Sequence, residues 1–342
     1  MASKHRRPPG QEVMLGMITS YWVSQMLFVA AKLGVADVLA KGPLVPTVIA
    51  QRVGAQPALV HRLLRALASV GVFAEGAGGK FRLTPLAQML RSGRPGSLRD
   101  FALMIVDDYQ WKSWEALYHG VVSGDIPFDH VHGAHVSDYL PRHPEKLETF
   151  SRSMASRSQT ESAAIASAYP FGQFTLLVDI GGSHGHLLAT ILKRYKALCG
   201  VLFDVPPVVE GAAGGGFISA TGVRNRCKVI GGDFFAGVPL GADVYLMKYI
   251  LHDWDDDHCV RLLKNCRDSM VPTGRVLIVE HLIAPGNRPD WGKLLDIQMF
   301  TVAGGQERTR HEFEELFKRA GLELKRVIPT KTPLTILECV RA

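Results

Sequence analysis

The chain has 342 residues, of which 47% are hydrophobic and 21% are charged, and its net charge is +7. This length predicts about two domains, at roughly 150 residues each, and the composition is typical of a soluble enzyme. We expect neither a membrane span of about 18 apolar residues nor a signal peptide, and therefore a cytoplasmic protein. The five cysteines are scattered without a C-x-x-C pair, which indicates neither a zinc site nor a disulfide framework.

Positive charge is concentrated in residues 1–100, which hold 13 Lys and Arg against 4 Asp and Glu. A basic half of a chain can indicate a nucleic-acid surface. Here the basic residues are dispersed, which favours a solvated helical face. We therefore expect no nucleic-acid partner, and a DNA-binding regulator is kept as an alternative hypothesis.

The first elements are predicted to be a segment with helical character throughout Gln11–Leu39, further helices and then two short strands. Residues Gln11–Leu39 have apolar side chains close to helical spacing, and so much apolar surface near a terminus requires a partner. Further helices are predicted near Thr47–Gln51 and over Ala58–Val70, and strands around Val72–Ala74 and Lys80–Leu83. This order resembles a winged helix, which is the basis of the DNA-binding alternative.

Helices are then predicted as far as about Ala168, interrupted by a loop over Gly124–His135. From Thr175 onwards strands alternate with helices, which predicts an α/β fold with a mostly parallel, doubly wound sheet. A flexible loop is expected at Gly211–Gly216. The last strand, Pro333–Val340, is expected to be antiparallel. The other strands are predicted at residues 175–180, 199–204, 226–230, 242–248, 274–281 and 322–328.

A glycine-rich turn follows the first of these strands and precedes a helix over Leu187–Arg194. Its glycines, Gly181, Gly182 and Gly185, would let the backbone approach a ligand at the helix N-terminus, although tight turns also need glycine for structural reasons. Asp179 at the strand end could bind the ammonium group of an amino-acid-like ligand.

Two more strand ends carry acids. Asp204 ends the second strand, where a carboxylate can bind ribose hydroxyl groups. Gly232, Asp233 and Phe234 follow the third strand, and there Phe234 could stack on a purine while Asp233 accepts from its exocyclic amine. Each feature alone is more often turn chemistry, but acids at three consecutive strand ends predict a nucleotide-binding crevice.

The fourth strand, around Val244–Met247, leads into Lys248 and then His252. A histidine just past the carboxyl end of a buried strand lies where ligands bind in open α/β sheets. The alternative is that His252 is merely a polar residue at a strand end. We interpret His252 as functional, and the acids after Asp253 as residues that favour the N-terminus of the next helix.

Five motifs carry a resemblance to a known family. The motifs D-x-G-G-x-x-G, F-D-V-P, G-G-D-F-F, K-Y-I-L-H-D-W and G-G-x-E-R-T, in this order, resemble S-adenosylmethionine-dependent O-methyltransferases of the plant caffeate type and their bacterial antibiotic-tailoring relatives. The resemblance covers essentially the whole chain. One departure is Ser183, at a position where family members often have glycine; if the position needs a positive φ, serine is strained there.

The resemblance implies the catalytic groups. It makes His252 the general base, assigns Glu307 to hold its imidazole, and adds Glu280 as a second flanking acid. A histidine is chemically suited to take a proton from a phenol, and a carboxylate on one ring nitrogen fixes the tautomer that leaves the other nitrogen free.

The resemblance also implies binding residues. Lys248 and Ser158 are expected to contact the methyl donor, S-adenosylmethionine. Phe150 and Met154 share one helical face with Ser158 and are expected to line the acceptor pocket, although without the resemblance they would be interpreted as core. Further acceptor contacts are expected from Trp254, Asp296, Met299 and Phe300.

We therefore predict a homodimeric O-methyltransferase that methylates a hydroxyl group of an aromatic secondary metabolite, such as an antibiotic, a phenazine or a polyketide. The predicted domains are a winged-helix-like dimerisation domain (1–100), a helical linker and substrate-pocket region (101–170) and a Rossmann-like donor-binding domain (171–342). N-methylation, and hydroxylation with the donor as a bystander, stay open as alternatives. No metal is expected, because no carboxylate-histidine signature accompanies the histidines at 130, 132 and 135.

Overall fold

The structure, a computed structural model, describes residues 10–213 and 222–342, which form two compact units. The first unit comprises the described residues up to Trp111 together with Leu140–Arg157. The second comprises Lys112–Tyr139 and Ser158–Ala342. The predicted middle region, residues 101–170, is thus divided between the two units, and the three-part domain division stays a prediction.

The first unit consists of helices and one β-hairpin, as predicted. Helix α5 shows why: Val60, Leu64 and Leu67 lie on one face of it and are buried, so burial of that face stabilises the helix. The elements are α1 (Gly10–Ile18), α2 (Tyr21–Lys32), α3 (Val35–Val38), α4 (Pro46–Val53), α5 (Pro57–Ser69), β1 (Phe73–Gly76), β2 (Lys80–Leu83), α6 (Pro85–Gln88) and α7 (Arg99–Ile105).

The expectation that no apolar run reaches membrane-spanning length is wrong for the N-terminal helices. Residues 13–31 contain no charged side chain, and Gly10–Lys32 is long and apolar enough to cross a membrane by length and composition. Only 6% of its most apolar stretch is buried. The surface of α1 and α2 is therefore apolar and mostly exposed, and a partner that covers it stays a prediction.

The second unit is built on a seven-stranded sheet with the order β10-β11-β7-β6-β3-β4-β5. Strands β3 to β7 are parallel, and β11 runs antiparallel between β7 and β10. The predicted doubly wound sheet and its antiparallel last strand are therefore confirmed. The strands of this sheet are β3 (Leu176–Ile180), β4 (Cys199–Asp204), β5 (Cys227–Gly231), β6 (Val244–Lys248), β7 (Arg275–Glu280), β10 (Leu322–Pro329) and β11 (Thr335–Arg341). A separate parallel pair consists of β8 (Leu282–Ile283) and β9 (Arg308–Thr309).

The helices of the remaining chain follow the predicted order with one correction. The expected loop at Gly124–His135 contains a helix, which Pro127 begins and Gly133, with φ of 67°, ends. The helices are α8 (Asp108–Glu115), α9 (Leu117–Ser123), α10 (Pro127–His132), α11 (Val136–Tyr139), α12 (Pro144–Ala168), α13 (His186–Arg194), α14 (Pro206–Ala213), α15 (Asp256–Ser269), α16 (Trp291–Ala303) and α17 (Arg310–Ala320). Of the loop expected at 211–216, the first three residues end α14, and the rest lie outside the described residues.

Hydrophobic cores cover both faces of the sheet. Along β6, Val244 and Leu246 belong to one core, whereas Tyr245 and Met247 belong to the other, and all four are fully buried. This alternation explains why the strand is a continuous apolar run. Polar side chains lie instead at the carboxyl ends of the parallel strands, and these ends share one edge of the sheet.

Candidate active site

The turn after β6 carries the predicted base and is fixed by the last residue of β7. Oε1 of Glu280 accepts hydrogen bonds from three consecutive backbone N–H groups, those of Ile250 (3.1 Å), Leu251 (2.7 Å) and His252 (3.3 Å). Burial raises the pKa of Glu280 to about 7. Its other oxygen, Oε2, has no hydrogen-bond partner among the described residues.

The structure adds to the role predicted for Glu280. The sequence placed it beside the imidazole as a second flanking acid, and its charge helps to raise the pKa of His252, while its hydrogen bonds hold the backbone of the turn. Its catalytic role stays a prediction. The residue next to the second ring nitrogen is Asp253, whose Oδ1 lies 3.6 Å from Nε2 of His252. Sequence reasoning had assigned Asp253 no role.

The expected pairing of His252 with Glu307 is present. Nδ1 of His252 lies 2.8 Å from Oε1 of Glu307, and both side chains are buried. Burial lowers the pKa of the imidazole, but the carboxylates of Asp253, Glu307 and Glu280 outweigh that effect and raise the pKa of His252 to about 9. The site therefore favours a positively charged imidazole.

Close backbone packing places Glu307 against the turn. A Cβ atom on Gly305 would lie 2.0 Å from the backbone oxygen of His252, so only glycine fits there. The next residue, Gln306, donates its N–H to the same oxygen at 2.9 Å. Asp296 on α16 then accepts from the N–H of Glu307 at 2.8 Å.

Arg308 also holds the turn by hydrogen bonds, a role that the sequence had not indicated. Its side chain is 1% exposed and donates to the carbonyl oxygens of Leu251 (2.9 Å) and Trp254 (2.8 Å). It also pairs with Asp256 at 2.9 Å. Asp255 caps α15, as predicted, by accepting from the N–H of His258. Asp256, in contrast, binds the arginine that holds the turn.

The glycine-rich loop after β3 has an unusual backbone. Gly181, Ser183 and Gly185 have φ values of 64°, 51° and 75°. A Cβ on Gly181 would lie 2.3 Å from Ile250, and one on Gly182 would lie 2.6 Å from Oδ2 of Asp179, so both positions need glycine. The suspected strain at Ser183 is therefore present.

Two acids at the strand ends face this loop. Asp204 accepts from the N–H groups of Ser183 and Val205, at 2.8 Å each, one to each oxygen. Asp179 is buried, which raises its pKa to about 7, and its Oδ2 has no hydrogen-bond partner among the described residues. A buried carboxylate oxygen beside a glycine cradle fits a cationic group such as an ammonium.

Lys248 has a polar network that includes an unpredicted residue. Its Nζ lies 2.9 Å from Oε2 of Glu161 and 3.3 Å from the hydroxyl of Ser158. Oε1 of Glu161 accepts from the hydroxyl of Tyr249 at 3.0 Å. The spacing could have predicted that Glu161 joins this network, because it lies three residues after Ser158 and hence on the same face of α12.

The residues after β5 pack into an aromatic cluster. A Cβ on Gly232 would lie 2.6 Å from the ring of Phe203, and Asp233 accepts from the N–H of Phe235 at 2.8 Å. The ring of Phe234 makes edge contacts with Phe235 and with Trp254, at centroid distances of 4.7 and 6.1 Å. Trp254, an expected acceptor contact, is therefore part of this cluster.

The other expected acceptor contacts are distributed over both units. Met299 and Phe300 are half-buried on α16 in the second unit. Phe150 and Met154 are half-buried residues of α12 that belong to the first unit, whereas Ser158 belongs to the second. Their binding roles stay predictions.

The three histidines considered for a metal have separate partners. His130 stacks on His119 at a centroid distance of 3.7 Å. His132 packs on Phe128, and Nε2 of His135 lies 3.2 Å from the backbone oxygen of Ala303. Nδ1 of His135 also lies 2.8 Å from the hydroxyl of Ser137.

Two family models match this chain. The model described as the O-methyltransferase domain matches residues 114–323, and that described as the O-methyltransferase dimerisation domain matches residues 15–93. Together they cover most of the chain, including both ends of the glycine-rich loop, the turn with His252 and the residues around Glu307.

Individual relatives agree with these models. The phenazine O-methyltransferase PhzM of Lysobacter antibioticus is 42% identical over 96% of this chain and 96% of its own. The 8-amino-8-demethylriboflavin N,N-dimethyltransferase of Streptomyces davaonensis is 33% identical over 93% of this chain and 91% of its own. A crystal structure of CalO1, a methyltransferase in calicheamicin biosynthesis, in its SAH-bound form, is 33% identical and covers 98% of this chain and 99% of its own, with a TM-score of 0.89.

Proposed function

Because the chain belongs to the family of S-adenosylmethionine-dependent O-methyltransferases that carry an N-terminal dimerisation domain, we propose that it methylates a hydroxyl group of an aromatic secondary metabolite, with His252 as the general base. The observation that carries the base assignment is the buried pair of His252 and Glu307, with 2.8 Å between Nδ1 and Oε1. Antibiotics, phenazines and polyketides are the acceptor classes proposed.

The reaction determines what the protein residues must do. The sulfonium of bound S-adenosylmethionine supplies an activated methyl group, so the chain must position the acceptor oxygen and remove its proton. A phenol with a pKa of about 10 is a weak nucleophile until it is deprotonated. The phenolic oxygen then forms its bond to the methyl carbon while the carbon–sulfur bond breaks, and the proton goes to His252.

Glu307 prepares His252 for this step. By accepting from the N–H at Nδ1, its carboxylate selects the tautomer with a free lone pair on Nε2, the atom that takes the proton. The surrounding acids raise the pKa of His252 to about 9, close to that of a phenol. Proton transfer is therefore nearly balanced, since each unit of pKa difference costs about 1.4 kcal/mol.

The donor-binding residues fit the chemical groups of S-adenosylmethionine. Oδ2 of Asp179 would hold the ammonium group, with Gly181, Gly182 and Gly185 allowing close approach. Both oxygens of Asp204 already accept one hydrogen bond, but each retains a lone pair for a ribose hydroxyl. Adenine contacts are proposed for Gly232, Asp233 and Phe234, and further donor contacts for Lys248 and Ser158.

A homodimer is the proposed assembly, formed through the N-terminal helices. Helix α1 exposes Met14, Leu15, Met17 and Ile18, and α2 exposes Trp22, with 55% to 65% of each residue accessible. These residues lie in or beside the segment matched by the dimerisation model. A second copy would cover this apolar surface, and we propose a cytoplasmic location for the dimer.

Nitrogen methylation is the second candidate. It is favoured by the similarity to an N,N-dimethyltransferase over most of the chain. An amine acceptor would need the same placement beside the donor. Its lone pair would form the bond to the methyl carbon while the carbon–sulfur bond breaks, and the proton released from nitrogen afterwards could go to His252. The acceptor must therefore be identified by experiment.

The test is methyl transfer from deuterium-labelled S-adenosylmethionine to a panel of phenols, phenazines, quinones and polyketides, each paired with its amino analogue. We expect one labelled methyl group on oxygen, detected by mass spectrometry. The variant His252→Ala should lose about 10²- to 10⁴-fold in turnover and still bind S-adenosylhomocysteine. Full turnover by His252→Ala would overturn the base assignment, and label found only on nitrogen would overturn oxygen methylation.

A further inference from the structure

Tyr249 lies between the donor contact Lys248 and the base His252, and neither the motifs nor the proposed reaction gives it a task. We propose that Tyr249 is a positioning residue that couples the donor side of the site to the orientation and charge of His252. The inference rests on the proposed function of His252 as the base. Four groups of contacts carry it: the backbone, the ring, the hydroxyl and the shared carboxylate.

The backbone of Tyr249 adopts a conformation that aromatic residues avoid. Its φ is 58°, and the one other non-glycine residue with positive φ among the described residues is Ser183, in the donor loop. The N–H of Tyr249 donates to the oxygen of Val279 on β7 at 3.2 Å, and Glu280 binds the next three N–H groups. The neighbouring strand thus holds Tyr249 in this conformation, which places its ring inside the site.

The ring of Tyr249 packs on the base. Its centroid lies 5.1 Å from that of His252, and the two planes are inclined by 23°. Nζ of Lys248 also lies over this ring, 5.0 Å from its centroid. A nearly parallel aromatic neighbour limits rotation of the imidazole, and the electron-rich face of a phenol favours the charged imidazolium that forms when His252 takes a proton.

The hydroxyl of Tyr249 connects this ring to the donor side. It donates to Oε1 of Glu161 at 3.0 Å, and it lies 3.5 Å from Nε2 of His281. Oε2 of the same carboxylate binds Lys248 at 2.9 Å. Glu161 is 8% exposed, so its two oxygens are held by these neighbours in a site that admits little water.

One carboxylate therefore links the donor contact to the ring that stacks on the base. A donor that binds at Lys248 and Ser158 changes the charge next to Glu161, and Glu161 holds the hydroxyl end of Tyr249. The effect reaches His252 through the stacked ring. This predicts that loss of the hydroxyl and loss of the ring have different consequences.

The experiment compares Tyr249→Phe and Tyr249→Leu with the matched control Tyr195→Phe. Tyr195 is also half-buried and donates its hydroxyl to two carbonyl oxygens, those of Ala166 and Tyr169, outside the site. Tyr249→Phe keeps the ring but loses the bond to Glu161, so S-adenosylhomocysteine should bind about tenfold more weakly, by calorimetry, while kcat changes less than about threefold.

Tyr249→Leu removes the stacked ring as well. We expect kcat to fall about 10- to 100-fold, and the pH at which kcat is half-maximal to move down by about 0.5–1 unit, because the imidazolium loses its aromatic neighbour. Tyr249→Phe should restore both the rate and the pH limb of the wild type. Tyr195→Phe should match the wild type in binding, rate and pH limb.

The outcomes separate this inference from the proposed function. An unshifted pH limb in Tyr249→Leu, or an unchanged affinity for S-adenosylhomocysteine in Tyr249→Phe, overturns the coupling while His252→Ala keeps its loss of about 10²- to 10⁴-fold in turnover. Full turnover by His252→Ala instead overturns the base assignment itself. If Tyr249→Leu fails to fold, Tyr249→Phe decides the matter by its donor affinity alone.

Discussion

Nδ1 of His252 and Oε1 of Glu307 lie 2.8 Å apart inside the protein, although 55 residues separate them along the chain. The contact depends on two supports: Gly305 lets the segment before Glu307 lie against the backbone of His252, and Asp296 holds the N–H of Glu307. A base acts only when its free nitrogen faces the proton and its imidazole is neutral. Changes to these two supports should therefore alter activity.

Glu307→Gln should change the pH dependence of the reaction. The carboxylate of Glu307 helps to raise the pKa of His252, and the base must be neutral to accept a proton, so activity rises as pH increases through that pKa. Removing the negative charge lowers the pKa of His252. We expect the rising limb of the kcat profile to move to lower pH and the plateau to fall at least tenfold, as the imidazolium loses a partner. Glu338→Gln, at a buried carboxylate outside the site, should leave the limb in place.

The positive charge of the bound donor should lower the pKa of His252. With a pKa of about 9, His252 is mostly protonated at neutral pH in the free protein. S-adenosylmethionine carries a positive sulfonium next to the reacting oxygen, and a like charge lowers the pKa of an imidazole. Titration of labelled histidine by NMR should give a pKa near 9 in the free protein and with neutral S-adenosylhomocysteine, and a value lower by about one unit or more with S-adenosylmethionine. Equal pKa values with both ligands would contradict this role of the donor charge.

Gly305→Ala should damage the site more than the fold. The added Cβ would lie 2.0 Å from the backbone oxygen of His252, so the turn must shift. Since misplacement of a catalytic group by about 1 Å can cost up to about 10²-fold, we expect kcat to fall at least tenfold. Gly237→Ala is the matched control, because no atom lies within 4 Å of its Cβ position. Comparable activity of the two variants would show that the close approach is not needed.

Arg308→Met should destabilise the protein through the turn it holds. The substitution leaves the buried carbonyl oxygens of Leu251 and Trp254 without their guanidinium donor. The oxygen of Leu251 still accepts from the N–H of Trp254 at 3.2 Å. Each lost hydrogen bond to the charged guanidinium contributes about 1.5–3 kcal/mol, so we expect a loss of about 2–5 kcal/mol in the free energy of unfolding, measured in urea. Asp256→Asn keeps both carbonyl contacts and should cost less than about 1 kcal/mol. Equal losses would mean that the ion pair, not the grip on the turn, stabilises this region.

Ser183→Gly should raise stability. Serine has φ of 51° here, where a side chain costs roughly 1–2 kcal/mol, and glycine avoids that cost at a smaller penalty in chain entropy. We expect a gain of up to about 1 kcal/mol by thermal unfolding. Donor affinity should be kept, because the N–H of residue 183 still reaches Asp204. Ser183→Ala retains the strain and should give no gain, so a gain in both variants would argue against the backbone explanation.

The sequence by itself determined the sheet and the edge at which the site lies. Strands buried on both faces are continuous apolar runs, so the end of each run predicted the end of a strand. The polar residues at those carboxyl ends are Asp179, Asp204, Lys248 and Glu280. The order of the motifs indicated the family and the pairing of His252 with Glu307. The strand ends depend on neighbouring residues, and the family and the pairing depend on the order of the motifs, so all of them could be predicted from the sequence alone.

Only the tertiary structure decided which atoms meet. Glu280 accepts from three backbone N–H groups, Arg308 donates to two carbonyl oxygens, and Glu161 joins Lys248 to Tyr249. Each contact joins residues tens of positions apart, and its direction depends on backbone angles and on side chains that share one buried space. Periodicity places a residue on a strand end or a helix face, but the partner of a buried charge is selected by the packing around it.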